Sequence, residues 1–173
     1  MIKKNIYLIG LMGAGKSTVG KLLAQKLDWH FQDLDEEIER ESDQTIAQIF
    51  SESGEAVFRQ MESATLLRTE MLQNTIIACG GGVVTSTENL EFLKEQSTIW
   101  LVLSPEEAAA RLEYATDRPL LSRCKDTLQK LGNILEARQE AYARASTLQI
   151  NVGEKSPDTI VDQVMKELSI RHV

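Results

Sequence analysis

A three-layer α/β/α fold, with a parallel sheet covered by helices on both faces, is what the 173-residue sequence predicts. Two observations carry it. Short apolar runs alternate with longer helical patterns from end to end, and a glycine-rich turn, GLMGAGKS at residues 10–17, lies directly between the first apolar run and the first helical one. The five runs, at residues 4–9, 29–33, 75–79, 98–103 and 147–151, call for five strands.

Composition narrows the class. At 42% hydrophobic and 26% charged residues with 3 prolines, the chain is globular, and its length suits one domain, residues 1–173, with a mobile insert. Nineteen basic against 26 acidic residues give a net charge of −7 with no Lys/Arg track, which argues against nucleic acid as a partner. No apolar stretch approaches the ~20 residues of a membrane span. Cys79 and Cys124 have no metal-ligand or disulfide spacing. With no signal-like segment at the N-terminus, a cytoplasmic chain is expected, acting as a monomer.

The first strand, residues 4–9, runs into GxxxxGKS, and Val19, Leu22, Leu23 and Leu27 behind the loop recur at helical spacing. A loop between a strand and a helix N-terminus presents backbone N–H groups and a positive dipole to an anion. Gly13, Ala14, Gly15 and Lys16 curl around a phosphate, Lys16 reaches the terminal phosphates, and Ser17 is placed to hold Mg²⁺, so a nucleoside triphosphate is the expected ligand.

The second strand ends in Gln32-Asp33-Leu34-Asp35, two carboxylates at the strand edge where ligands collect in an open parallel sheet. Asp33 suits Mg²⁺ through water and Asp35 an acceptor; either could instead cap a helix beginning at Glu36. In the next helix Arg59 and Glu62 are three residues apart and able to pair, fixing a guanidinium fork suited to a carboxylate, or forming an ordinary surface ion pair. Gly80-Gly81-Gly82 ends the third strand, where a missing Cβ lets a ligand meet the backbone or simply makes a tight turn.

Ser104-Pro105-Glu106-Glu107 carries a helix-capping box after the fourth strand. Residues 116–126, TDRPLLSRCKD, break the helical pattern with a proline and two arginines, and form a loop over the nucleotide. There Arg118 is the candidate for a charge that stabilises the transferring phosphoryl group. Arg138, on the helix LGNILEARQEAYARA, is able to reach the pocket from the far side of that loop. After the fifth strand Ser156-Pro157-Asp158 opens a last helix, whose Ile160, Val161, Val164, Met165 and Leu168 form one apolar stripe.

In this order, GxxxxGKS, DLD, FRxxE, GGG, DRPLL and RxxxY resemble the shikimate kinases, of the nucleoside-monophosphate-kinase-like group of P-loop proteins. The resemblance implies ATP-dependent phosphorylation of the 3-hydroxyl of shikimate, giving shikimate 3-phosphate and ADP on the route to chorismate and aromatic amino acids. It further implies strand order 2-3-1-4-5, a helical acceptor region over about residues 33–62 and a lid over about residues 112–126. Carried onto this chain, Gly13, Ala14, Gly15, Lys16, Ser17 and Thr18 hold the ATP phosphates. Ser17 binds Mg²⁺ with support from Asp33, and Asp35 meets the shikimate hydroxyls. Arg59 and Arg138 clamp the carboxylate, Gly81 offers its backbone, and Arg118 in the lid contacts ATP. Adenine is implied near Arg111 and near the turn holding Lys155. Lys16, Asp35 and Arg118 are the implied catalytic residues. A gluconate-type or nucleotide kinase, which shares the loop and lid, is the nearest rival, and a noncatalytic nucleotide-binding module is a rival of another class.

Overall fold

Strand β1 (Asn5–Ile9) is the middle of the sheet, and every one of its residues is buried. In the computed structural model, which describes residues 5–113 and 127–168, the chain continues through α1 (Lys16–Leu27), β2 (His30–Asp33), α2 (Leu34–Ser42), α3 (Ile46–Glu52) and α4 (Gly54–Arg68). Next come β3 (Thr75–Ala78), α5 (Thr87–Lys94), β4 (Ser97–Val102), α6 (Pro105–Glu113), α7 (Thr127–Ala145), β5 (Leu148–Asn151) and α8 (Pro157–Glu167). The expected loop over residues 116–126, with Arg118, lies outside the described residues, as do Cys124 and most of the lid.

The five strands are parallel in the order β2-β3-β1-β4-β5, the order the resemblance implied. Each begins and ends within a residue of its apolar run. Register follows the side-chain period of two: Ile6 pairs with Ile76 on one side and Ser97 on the other. Ile6 and Leu8 therefore face α1, α6 and α8 together with Ile76, Ile99, Leu101, Ile150, Val19, Leu23, Ala108, Val161 and Val164. Tyr7 and Ile9 face the opposite layer with Ile77, Trp100, Leu66, Leu93 and Tyr142 from β3, β4, α4, α5 and α7. Two cores back to back on one sheet make the three layers. A third, smaller cluster of Ile38, Ile49 and Phe58 holds α2, α3 and α4 together as an outlying helical unit between β2 and β3.

The helix starts are chemically marked. Ser104 and Glu107 exchange hydrogen bonds as a capping box, and Ser156 accepts from the Thr159 N–H with Pro157 in the first turn. Helix α2 departs from expectation by beginning at Leu34 rather than Glu36, because Asp33 caps it through the Asp35 N–H. Asp35 is thus a first-turn residue of α2, and Asp33 is its cap.

Candidate functional site

Behind β1 the chain makes a turn that only glycine adopts without strain: Gly10, Gly13 and Gly15 have φ of 138°, 84° and 84°. Gly15 stands at the N-cap of α1 with no side-chain cap, and the first turn of α1 holds no acidic residue. The open N–H groups and dipole of that end suit an anion. Across the loop, Lys16 Nζ donates to the carbonyls of Gly10 and Leu11 at 2.9 and 3.0 Å. Ala14 turns its own N–H inward, onto the Leu11 carbonyl at 3.2 Å, and so closes the loop's shape.

One turn into the cradle the Ser17 hydroxyl donates to Asp33 Oδ2 at 2.5 Å, while Asp33 Oδ1 takes the Asp35 N–H at 3.0 Å. A hydroxyl and a carboxylate side by side beneath a phosphate loop are hard oxygen donors of the kind Mg²⁺ takes. Ser17, expected to bind Mg²⁺, and Asp33, expected to support it through water, come together. No cluster of three or more His, Cys, Asp and Glu able to hold a metal occurs among the described residues, so Mg²⁺ here would draw its remaining ligands from phosphate and water.

The acceptor side assembles around the three glycines after β3. A Cβ at Gly80 would lie 2.7 Å from Glu62 Oε1 and 3.0 Å from Asp35 Oδ1, so the missing side chain makes room for two carboxylates. One at Gly82 would collide with the Arg59 guanidinium. The Gly81 carbonyl accepts from Arg138 Nη1 at 3.1 Å and from the Tyr142 hydroxyl. Gly81 itself faces the phosphate loop, its Cβ position 3.6 Å from the Gly10 carbonyl oxygen. Arg59 and Arg138, 79 positions apart and carried by α4 and α7, thereby meet at consecutive glycines.

Arg59 is held from both sides, by Glu62 Oε2 at 2.7 Å and by Glu55 at 3.1 Å. The pairing expected between Arg59 and Glu62 is no ordinary surface bridge, because the Glu62 side chain is 1% exposed. Burial lifts the Glu62 carboxyl above its ordinary range, the nearby Asp35 adds to the lift, and the Arg59 charge offsets only part of it. On Arg59 the balance is reversed: burial works against the charged form, yet Glu62 and Glu55 together outweigh it and the net shift is upward. Cys79, one residue before the glycines, is fully enclosed, and burial drives its thiol pKa well up, which leaves it inert.

On the far side of the phosphate loop, Arg111 joins two chain segments by donating to the Gly13 carbonyl at 3.2 Å and the Val152 carbonyl at 2.8 Å. Lys155 closes the adjoining turn through the Asn151 carbonyl and Gln163. Of the two residues expected near adenine, Arg111 touches the phosphate loop directly, and Lys155 is fixed in the turn after β5, the strand whose end leads to Val152. Glu62 and Tyr142 are the site neighbours to which the sequence reading assigned no part in binding. Their signals were present as the i,i+3 spacing from Arg59 and the i,i+4 spacing from Arg138, which put each on the face of its arginine.

Comparison with known proteins identifies the family. The family model described as shikimate kinase matches residues 12–169. A shikimate kinase from Persephonella marina is 40% identical over 163 residues, covering 94% of this chain and 97% of the relative. The structure of shikimate kinase from Acinetobacter baumannii in complex with shikimate superposes with a TM-score of 0.91 at 34% identity, covering 96% of this chain and 93% of that one. A gluconokinase from Sinorhizobium meliloti, at 19% identity and a TM-score of 0.61 with 95% of this chain and 91% of that one covered, shares the fold alone.

Proposed function

The chain belongs to the shikimate kinase family, and from that premise we propose that it phosphorylates the 3-hydroxyl of shikimate with ATP, releasing shikimate 3-phosphate and ADP for aromatic amino-acid biosynthesis. The observation that carries the acceptor is the meeting of Arg59 and Arg138 at Gly82 and Gly81, beside Asp35 and next to the phosphate loop. Two guanidinium groups from separate helices suit a planar carboxylate, and a carboxylate side chain one step away suits the hydroxyls of the same small acid.

Phosphoryl transfer is served chiefly by alignment and by charge stabilisation. The uncapped N-terminus of α1 and the loop N–H groups of Gly13 and of Gly15 to Thr18 bind the ATP phosphates, Ala14 shapes the loop through its inward N–H, and Lys16 neutralises charge on the phosphates. Asp35, fixed in the first turn of α2, orients the acceptor hydroxyl and takes its proton late. Ser17 and Asp33 would hold Mg²⁺, which when bound screens the phosphate oxygens. Arg111 and Lys155 border the adenine. Arg118 and most of the lid expected over about residues 112–126 lie outside the described residues, and the nucleotide contact assigned to Arg118 rests on the family resemblance. We read residues 1–173 as one domain, with α2 to α4 as the acceptor region, acting as a cytoplasmic monomer.

The deciding experiment is ADP release from ATP and Mg²⁺ with shikimate, gluconate, AMP or no acceptor in parallel. Turnover with shikimate alone is expected. Preference for gluconate or AMP would leave the phosphate loop standing and overturn the acceptor assignment.

A further inference from the structure

Tyr142 lies four residues beyond Arg138 on α7 and therefore on the same helix face. It is wholly buried, yet its hydroxyl does not turn toward the core. It donates to the Gly81 carbonyl, the oxygen that Arg138 Nη1 also holds at 3.1 Å. A carbonyl oxygen has two lone pairs, and these two donors take both. On its other side the phenol ring stacks on Trp100 of β4, centroids 5.6 Å apart and planes at 29°. The edge of Trp100 in turn approaches the start of the phosphate loop, its Cδ1 3.3 Å from where a Cβ would stand on Gly10.

We propose that Tyr142 is a positioning residue for the acceptor: by sharing the Gly81 carbonyl with Arg138 it sets the aim of both the guanidinium and the glycine backbone, and braces them against the phosphate loop through Trp100. This rests on the functional reading above. The chemistry follows from the number of donors. With one Arg138 nitrogen committed to a carbonyl that Tyr142 holds still, the rest of the fork keeps a fixed direction toward a carboxylate. Without the hydroxyl, Gly81 keeps a single donor, its peptide plane is free to tilt, and Arg138 moves with it. Burial pushes the Tyr142 phenol above its ordinary range, so it stays a donor at every pH where the enzyme works.

Tyr142→Phe isolates the effect, since it removes one oxygen and keeps the ring, the volume and the stack on Trp100. The measurement is steady-state kinetics with shikimate and MgATP varied separately, together with the melting temperature of the same preparation and calorimetric binding of shikimate. The expected result is a shikimate KM and Kd raised about tenfold, as for losing one buried hydrogen bond at a binding group, with the KM for ATP within about twofold and the melting temperature near that of the parent. An unchanged shikimate KM overturns the proposal. So does a parallel rise of both KM values with a depressed melting temperature, which would mark Tyr142 as a packing residue. Should the parent enzyme prefer another carboxylated acceptor, the functional reading falls, and the same split measured with that acceptor decides for or against Tyr142.

Discussion

The guanidinium of Arg59 occupies the place where a side chain at residue 82 would begin, with Cζ 2.6 Å from the position a Cβ of Gly82 would take. Gly82 has φ of −96°, which any residue adopts, so it is glycine for space and not for backbone freedom. Gly82→Ala is therefore expected to fold and to push Arg59 aside. Its shikimate KM should rise roughly tenfold or more while its KM for ATP holds, because a misplaced fork loses paired hydrogen bonds. An alanine enzyme with parental shikimate KM would mean that Arg59 has another acceptable position.

Arg59→Ala removes the clamp and also strips Glu62 of its partner. The shikimate KM should rise by the equivalent of about 2–5 kcal/mol if this guanidinium meets a desolvated carboxylate. Stability should fall by roughly 2–3 kcal/mol, below the full cost of breaking a buried pair because Arg59 keeps 24% of its side chain exposed. Adding Glu62→Gln should restore part of the stability and none of the shikimate affinity. Chemical denaturation and kinetics on the three proteins separate the two effects.

Glu62 also makes stability depend on pH in a definite direction. Its folded pKa is raised above the ordinary 4.5 by burial and by Asp35. The folded chain thus keeps a proton that the unfolded chain releases, and the stabilisation from this group is complete below 4.5 and lost as pH rises through the lifted pKa. The stability of the parent relative to Glu62→Gln should accordingly decline as the pH is raised above 4.5. A flat or rising difference in urea melts would contradict the assignment.

At Asp33 one substitution separates metal binding from folding. Asp33→Asn keeps a side-chain oxygen for the Asp35 N–H, so α2 remains capped, but it removes the negative charge beside Ser17. The Mg²⁺ concentration for half-maximal rate should rise roughly tenfold or more, with little change in melting temperature. Loss of stability without a change in Mg²⁺ demand would make Asp33 a cap alone.

Asp35→Asn tests alignment against proton removal. If Asp35 chiefly orients the hydroxyl, residual turnover should persist with a pH–rate profile of the same shape. Complete loss of turnover with intact shikimate binding would make Asp35 an essential base.

Much of this was legible in the chain because strands and helices announce themselves through local chemistry. The phosphate loop lay between its strand and helix, and Ser104 and Ser156 marked helix starts, whereas the division of β1 between two cores is hidden in a run that is apolar at every position from Ile6 to Ile9. The start of α2 was less legible, since Asp33 and Asp35 both make good caps and only the fold decides which does so. Nor was the reason for three glycines local: Gly80 and Gly82 make room for carboxylates and a guanidinium from α2 and α4. Spacing offered Tyr142 as a neighbour of Arg138, but the carbonyl that both of them hold comes from residue 81, brought there by the tertiary fold.

The central place of β1 has a consequence for how the chain is made. β1 has its partners at residues 75–78 and 97–100, so it stays without its second neighbour until β4 has been synthesised. Its run of buried apolar residues must wait through that interval without aggregating, and the phosphate loop cannot take its final form until β4 arrives, since Gly10 rests against Trp100 and Leu101. The segment that is simplest to recognise in the sequence thus depends for its final form on residues some ninety positions further along.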